Sequence, residues 1–491
     1  MVTEAFMDEA VLPKWYAVGG VLCVGFLLFV SMIRVGSLHL NWRKLYWNIC
    51  MITNLAIFAE ALLALGQRLP GVSLYSSCEA GSFDSITGMS SAICLCLPMG
   101  FMFYHSYTKL YKLLFLTGKT VGLLVLFLYE SRTGVICLVF VLVALEYRRR
   151  RFKKWILFVM VPLVAILSAS MVKISSTQGR WFIMERSMEM MAEHPVKGWG
   201  FDGYTKHYMD VQADYFATHP DSKYAMLAGN IHHPLNEFIL IGIEYGMIIS
   251  VLVLGFLLTA IIKSFCSKRA PSFEGGMILA VVAIYAFFSY PLKYPFTWLM
   301  VILALGLSLS GSLRMSFSRQ QIIAFCSVLA VAGVTGLITL AIKTKSQIQW
   351  KNASTADALE GYERSFQALS NDYRFLYDFA CVAYDKMEYN KALSLAFAAK
   401  QHVADYNVQM LIADAQLSLG NTADALESYW RAHDMCPSRI APYYEAYMIH
   451  RSRGDTTCCV RLYSMANRAV KINNGLTEAM LYEMKKDISH Y

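Results

Sequence analysis

Residues 238–262, FILIGIEYGMIISVLVLGFLLTAII, carry a single charged side chain, Glu244. A helix needs roughly 17–25 mostly apolar residues to cross a bilayer, so the run reads as a membrane span. What stands directly before it is unusual. NIHHPLNEF (230–238) sets His232, His233, Asn236 and Glu237 at the mouth of that span. Working outward, 16–33, 113–129, 155–172, 276–292, 297–312 and 321–342 also hold few or no charges. The stretches 46–66, 84–103 and 134–147 are weaker candidates, giving about ten spans in all. Over 491 residues the chain is 56% hydrophobic and 16% charged, with a mean hydropathy of +0.41. Soluble chains are nearer 45–50% apolar and about 25% charged. The expected fold is therefore all-α, beginning with a polytopic membrane bundle.

Positive charge orients the bundle. If the first span runs inward, Arg34, Arg43, Lys44, Lys109, Lys112, the Arg148–Lys154 cluster, Lys263, Lys268, Arg269, Arg314 and Arg319 fall on cytoplasmic loops. The short external segments keep only Lys14, Arg68, Arg132 and Lys293. That asymmetry is the positive-inside signal. The net charge of +9 is accordingly a topology device, and no nucleic-acid partner is expected. No cleavable leader is expected either, because Glu4, Asp8 and Glu9 precede the first span in place of basic residues. This orientation places the 173–237 loop and everything after about 343 outside the cytoplasm. Of the 12 cysteines, Cys381, Cys436, Cys458 and Cys459 lie in that outer tail, where a disulfide is open. No spacing suggests a metal site.

Beyond about 350 the pattern changes to a repeat. Ala358, Ala392, Ala425 and Cys459 are spaced by 33 or 34 residues. Tyr362, Ala396, Tyr429 and Tyr463 follow in the same frame, then Ser365, Ala399, Ala432 and Ala466. The clearest unit is LIADAQLSLGNTADALESYWRAHDMCP (411–437), with Gly420 and Gly454 marking turns and Pro437 closing a unit. Period, small residues and aromatics resemble the tetratricopeptide repeat, a helix pair of about 34 residues. An unrelated helical domain is the alternative. The chain thus divides into a membrane part, 1–343, and a helical-repeat part, 344–491, that offers a surface for a protein partner.

Three polar groupings share the external face. YESRTG (129–134) puts Glu130 and Arg132 near membrane depth, where a charge is expensive and commonly faces a cavity; a hairpin turn with a Glu130–Arg132 pair is the simpler alternative. TQGRWFIMERSMEMMAEHPVKGWGFDGY (177–204) reads as an amphipathic helix from Trp181 to Met191, opened by Arg180 and closed by the Pro195–Gly200 turn. Arginine suits bidentate binding of phosphate oxygens, although a helix-flanking surface charge explains Arg180 equally simply. In NIHHPLNEF, His233 or His232 is a candidate general base that Asn236 or Glu237 would orient; interfacial residues ending a span are the alternative.

Taken in order, these groupings resemble the O-antigen ligase and polymerase superfamily of membrane glycosyltransferases. The resemblance rests on Ser131-Arg132-Thr133-Gly134 opening a span, on Gly179-Arg180 followed by Pro195 through Gly200, and on His233 through Phe238 leading to Glu244-Tyr245-Gly246. It covers 110–262 by motif and 16–342 by topology. It implies a glycosyltransferase of the bacterial inner membrane with a periplasmic tail, needing neither metal nor cofactor. The donor would be an undecaprenyl-diphosphate-linked glycan, its pyrophosphate held by Arg132 and Arg180, with a histidine activating the acceptor hydroxyl. One departure matters: the family often has a histidine immediately before the asparagine, and here that position is Leu235. The base is then expected at His233, with His232 second. Lipid A core is the first expected acceptor; the growing glycan and protein hydroxyls stay open. A non-enzymatic repeat scaffold in the membrane is the competing class.

Overall fold

The computed structural model describes residues 42–68, 80–83, 85–101, 108–148, 174–309, 341–354, 359–468 and 475–488, with a few single positions besides. Among these, regular structure is helical. The apolar part comprises α1 (Trp42–Gln67), α2 (Ile86–Cys96), α3 (Lys109–Leu128), α4 (Arg132–Arg148), α5 (Ile174–Glu193), α6 (Gly203–Thr218), α7 (Glu237–Tyr245), α8 (Met247–Cys266), α9 (Ala270–Phe288) and α10 (Pro295–Leu309), with a 3-10 turn at Pro291–Lys293. Among the described residues, four helices are long and apolar enough to cross a membrane: Tyr46–Gln67 of α1, then α3, α8 and α9. The predicted spans 16–33 and 155–172, and most of 321–342, lie outside the described residues.

One expectation is corrected. The run 238–262 is not a single span, because Gly246 (φ 94°) separates α7 from α8. The cause is tertiary. Met247 N donates to Pro195 O at 2.8 Å, Trp199 N to Ile243 O at 2.7 Å and Gly200 N to Glu244 O at 3.0 Å. The 195–200 turn is thereby bonded to the helix break. A side chain at Gly246 would run into the Val196 carbonyl, and one at Gly198 (φ 67°) into the Glu244 backbone. Close backbone approach is what both glycines permit.

α9 is the axis of the bundle. Its apolar window is 78% buried, against 11% for α8, whose Val251, Leu252 and Phe256 face outward as lipid-facing residues do. Gly275 and Gly276 lie against the Ala304 carbonyl of α10 and Ser264 of α8; small residues at such crossings let helices approach without a hydrophobic driving force. Lys119, which interrupts α3, is compensated within the bundle: Nζ donates to Cys96 O at 2.8 Å and lies 4.6 Å from the Phe115 ring centroid.

Helices α11 (Leu359–Leu369), α12 (Tyr373–Asp385), α13 (Tyr389–Lys400), α14 (Tyr406–Ser418), α15 (Thr422–Met435), α16 (Ala441–Ser452), α17 (Thr456–Arg468) and α18 (Gly475–Ile488) pack consecutively. Of the frame read from the repeat, Ala392, Ala425, Cys459, Tyr362, Ala396, Tyr429, Ser365, Ala399, Ala432 and Ala466 are buried, and Tyr463 is partly buried. Ala358 lies outside the described residues. Gly420 (φ 85°) and Gly454 (φ 72°) make the turns, and Met387 (φ 61°) takes the same turn one unit earlier. Cys381, Cys436, Cys458 and Cys459 are free thiols.

The tail is docked on the 174–237 segment. Arg431 of α15 donates to Asp210 at 2.7 Å and Asp214 at 2.5 Å, and Gln212 Nε2 donates to Met435 O at 2.6 Å. Tyr204, Tyr208, Met209 and Ile243 share one buried cluster with Ala404, Tyr406, Ala432 and Met435. Half-exposed ion pairs contribute at most about 1 kcal/mol each, so the apolar cluster holds the interface.

Candidate active site

The polar motifs meet at the end of α9. Asn236 caps α7: its Oδ1 accepts from Phe238 N at 2.9 Å and Ile239 N at 3.0 Å, while Nδ2 donates to Phe287 O at 3.2 Å. Glu237, only 4% exposed, accepts from Leu292 N at 2.8 Å. These bonds tie the first turn of α7 to the α9–α10 connection. The buried carboxylate has a backbone donor, which offsets the desolvation that would otherwise make it costly.

His233 stacks on Tyr290, ring centroids 4.8 Å apart. Lys293 Nζ lies 5.6 Å from the same ring centroid. Arg180 Nη1 reaches the Phe288 carbonyl at 3.5 Å. Burial, and next the Arg132 guanidinium, hold Arg180 below the ordinary arginine value, with Tyr290 acting in the opposite sense. Two guanidinium groups are therefore close enough to oppose each other's charge. Among the described residues neither is ion-paired with a carboxylate, so the Glu130–Arg132 hairpin pair is not formed. Arg180 also sits inside α5, not at its start; the helix begins at Ile174.

Backbone strain marks both entrances. Glu130 (φ 51°) stands two residues before Arg132, and Leu235 (φ 56°) one before Asn236. Neither is glycine, and a left-handed residue of this kind costs about 1–2 kcal/mol unless its surroundings impose it. Gly134 lies against Ser131 and Leu126, keeping the turn into α4 tight.

The adjacent histidines part company. His232 turns to the tail, where Nε2 lies 3.3 Å from Asp405 Oδ2. Arg180, His233, Asn236 and Glu237 reach the 287–292 connection, Arg132 lies near enough to Arg180 to act on its charge, and His232 does not join them. Tyr290 and Lys293 escaped the sequence reading. The run 276–292 took Tyr290 into a span, and Lys293 counted only as a topological charge; the stretch SYPLKYP (289–295) was the available signal. Two features lie apart from this site. A cavity of about 640 Å³ opens in the tail among α12, α14, α16 and α18. At the start of α17, ligand atoms of His450, Asp455 and Cys458 come within 4.8 Å of one another, a grouping that chain spacing had not suggested.

Residues 118–254 match the family model described as O-antigen ligase. The match takes in the Arg132 turn, the Arg180 helix, both histidines and the α7–α8 break. No curated protein matches the chain.

Proposed function

We infer, from the O-antigen ligase match and the site geometry together, that the protein transfers a glycan from undecaprenyl diphosphate to an acceptor at the outer face of the bacterial inner membrane. The observation that carries the reading is Arg180 and His233 brought to one turn, Arg180 against the Phe288 carbonyl and His233 on Tyr290, with Arg132 near enough to act on the Arg180 charge. Like charges held together favour an anion between them, and a diphosphate supplies one that two planar guanidinium groups bind in bidentate fashion. The same pair stabilises the charge that grows on the leaving group.

His233 acts as general base. It takes the proton of the acceptor hydroxyl, whose oxygen bonds to the anomeric carbon as the bond from that carbon to the diphosphate breaks; undecaprenyl diphosphate leaves with the electron pair. Asn236 and Glu237 hold the loop that presents His233, through the α7 cap and the Leu292 amide. With the diphosphate charge met by arginine, the transfer proceeds without a metal. The first-choice acceptor is lipid A core. The repeat tail, of tetratricopeptide type and periplasmic under the positive-inside orientation, stands beside the site where an acceptor approaches. A purely scaffolding role leaves the gathering of Arg132, Arg180 and His233 unexplained.

The test is gel analysis of surface glycolipid and periplasmic glycoprotein in cells lacking the protein, complemented with the native chain or with His233→Ala. Product restored by the native chain and not by an expressed His233→Ala supports the reading. The product that is missing identifies the acceptor: lipid A core, a longer glycan, or protein. Full restoration by His233→Ala removes His233 as base.

A further inference from the structure

The second histidine raises a separate question: why His232 reaches into the tail. Asp405 is the N-cap of α14, its Oδ1 accepting from Asn407 N at 2.7 Å and Val408 N at 3.1 Å. Its other oxygen takes two groups from the catalytic loop, Asn230 Nδ2 at 2.5 Å and His232 Nε2 at 3.3 Å. The carboxylate is wholly buried. Asn230 returns the contact, its Oδ1 accepting from Tyr406 N at 3.3 Å. One residue earlier, Gly229 O accepts from Gln212 Nε2, the same amide that bonds Met435 O of the tail. Next to this, Ala404 N donates to Thr205 O at 3.0 Å. Residues 229, 230 and 232 are thus all held by the tail or by a residue bound to it.

We propose that Asp405 is a positioning residue for glycan transfer, the tail carboxylate that fixes one end of the loop carrying His233. The proposal rests on the transfer reading given above. The loop is held at two ends, by Asp405 at Asn230 and His232, and by the Phe287 carbonyl at Asn236. Between them lies Leu235 in the left-handed region. A strained residue persists only where both flanks are fixed, and displacement of a catalytic group by about 1 Å costs on the order of 10²-fold in rate. Releasing the Asp405 end lets Leu235 relax and moves His233 off Tyr290. The tail then belongs to the catalytic unit itself, beyond any role in recruiting partners.

The repeat supplies a matched control. Asp372 stands 33 residues before Asp405 in the same frame and caps α12 through Arg374 N at 3.1 Å, without touching the loop. Loss of either cap costs about 0.5–2 kcal/mol of stability. Full-length protein in detergent is assayed with the undecaprenyl-diphosphate-linked glycan extracted from the deletion strain. Binding of undecaprenyl diphosphate counts the folded sites. Asp405→Ala is expected to lower the rate per binding site 10- to 100-fold with the number of sites kept, Asp405→Asn to restore part of it, and Asp372→Ala to leave it unchanged. If Asp405→Ala does not fold, Asn230→Ala releases the same end from the loop side and is expected to show a loss of at least several-fold. A rate per site for Asp405→Ala or Asn230→Ala equal to that of Asp372→Ala overturns the proposal. His233→Ala and the native protein in the same assay separate the failures: if His233→Ala is inactive while Asp405→Ala is fully active, only the positioning role falls; if His233→Ala is active, His233 is not the base and its positioning has nothing to act on; if the native protein forms no product, the transfer reading falls first.

Discussion

The turn at Tyr290 and the interior of the repeat tail treat charge in opposite ways. In the tail, the buried carboxylate of Asp378 and the partly buried one of Asp414 are met by donors. Asp378 accepts from Trp350 Nε1 at 2.6 Å and from Tyr362 OH at 2.5 Å, and Asp414 from Tyr429 OH at 2.6 Å. Near Tyr290, the charge of Arg132 opposes that of Arg180, and left-handed Glu130 and Leu235 lead into the motif turns. Satisfied polar networks make a region rigid and specific. Like charges and strained backbone make it less stable than it would otherwise be, and mark where a ligand completes it. On the proposed reading, the tail's interior carries stability, the turn carries the chemistry, and Asp405 at the tail's edge links the two.

Breaking the turn gives the largest effects. Arg180→Ala is expected to lower transfer 10²- to 10³-fold, the range for losing one preset donor to a developing charge. Arg180→Lys keeps the charge without the fork, and about tenfold of activity returns. Initial rates with saturating donor measure both, and near-native rates for Arg180→Ala remove the arginine from the reaction. In the tail the same kind of change acts on stability. Asp378→Ala strands the Trp350 and Tyr362 donors, at about 1–3 kcal/mol for each. Thermal unfolding should report the loss, while the rate per folded molecule stays within about twofold.

Much of this contrast was legible beforehand, for physical reasons. The tail frame shows in the sequence because each unit buries the same positions, so Ala392, Ala425 and Cys459 recur at repeat spacing. Arg132 stood out because a charge near membrane depth is rare, Arg180 because an arginine in an external loop suits phosphate, and His233 because a histidine at a span's mouth suits a general base. The break at Gly246 did not, since its flanks are apolar and its cause is a turn some 50 residues earlier docking on it. Tyr290 was hidden for a similar reason: an aromatic at the end of an apolar run looks like span until a histidine stacks on it. That His232 and His233 would diverge follows from adjacency, since consecutive side chains do not share a direction, but only the packed tail shows what His232 meets.

Two smaller changes sharpen the comparison from the tail side. Burial, and after it Asp414, raise the Glu445 pKa to about 7. An unfolded glutamate titrates near 4.3, so between about pH 4.3 and 7 the folded chain binds more protons and stability falls as pH rises. Glu445→Gln should therefore raise Tm at pH 8 and change it little at pH 4.5; an equal shift at both pH values contradicts the assignment. Met387 holds the turn that Gly420 and Gly454 make in later units, with its side chain 74% exposed. Met387→Gly is expected to add about 1 kcal/mol by relieving the left-handed strain, read as a small rise in Tm.

The most direct measurement is transfer by purified full-length protein from undecaprenyl-diphosphate-linked glycan to lipid A core, comparing native chain, Arg180→Ala and His233→Ala at equal folded concentration. The account expects the native protein to form the product, Arg180→Ala to lose both donor affinity and rate, and His233→Ala to bind donor normally yet transfer at least 10²-fold more slowly. Donor binding and transfer that survive both substitutions would contradict it.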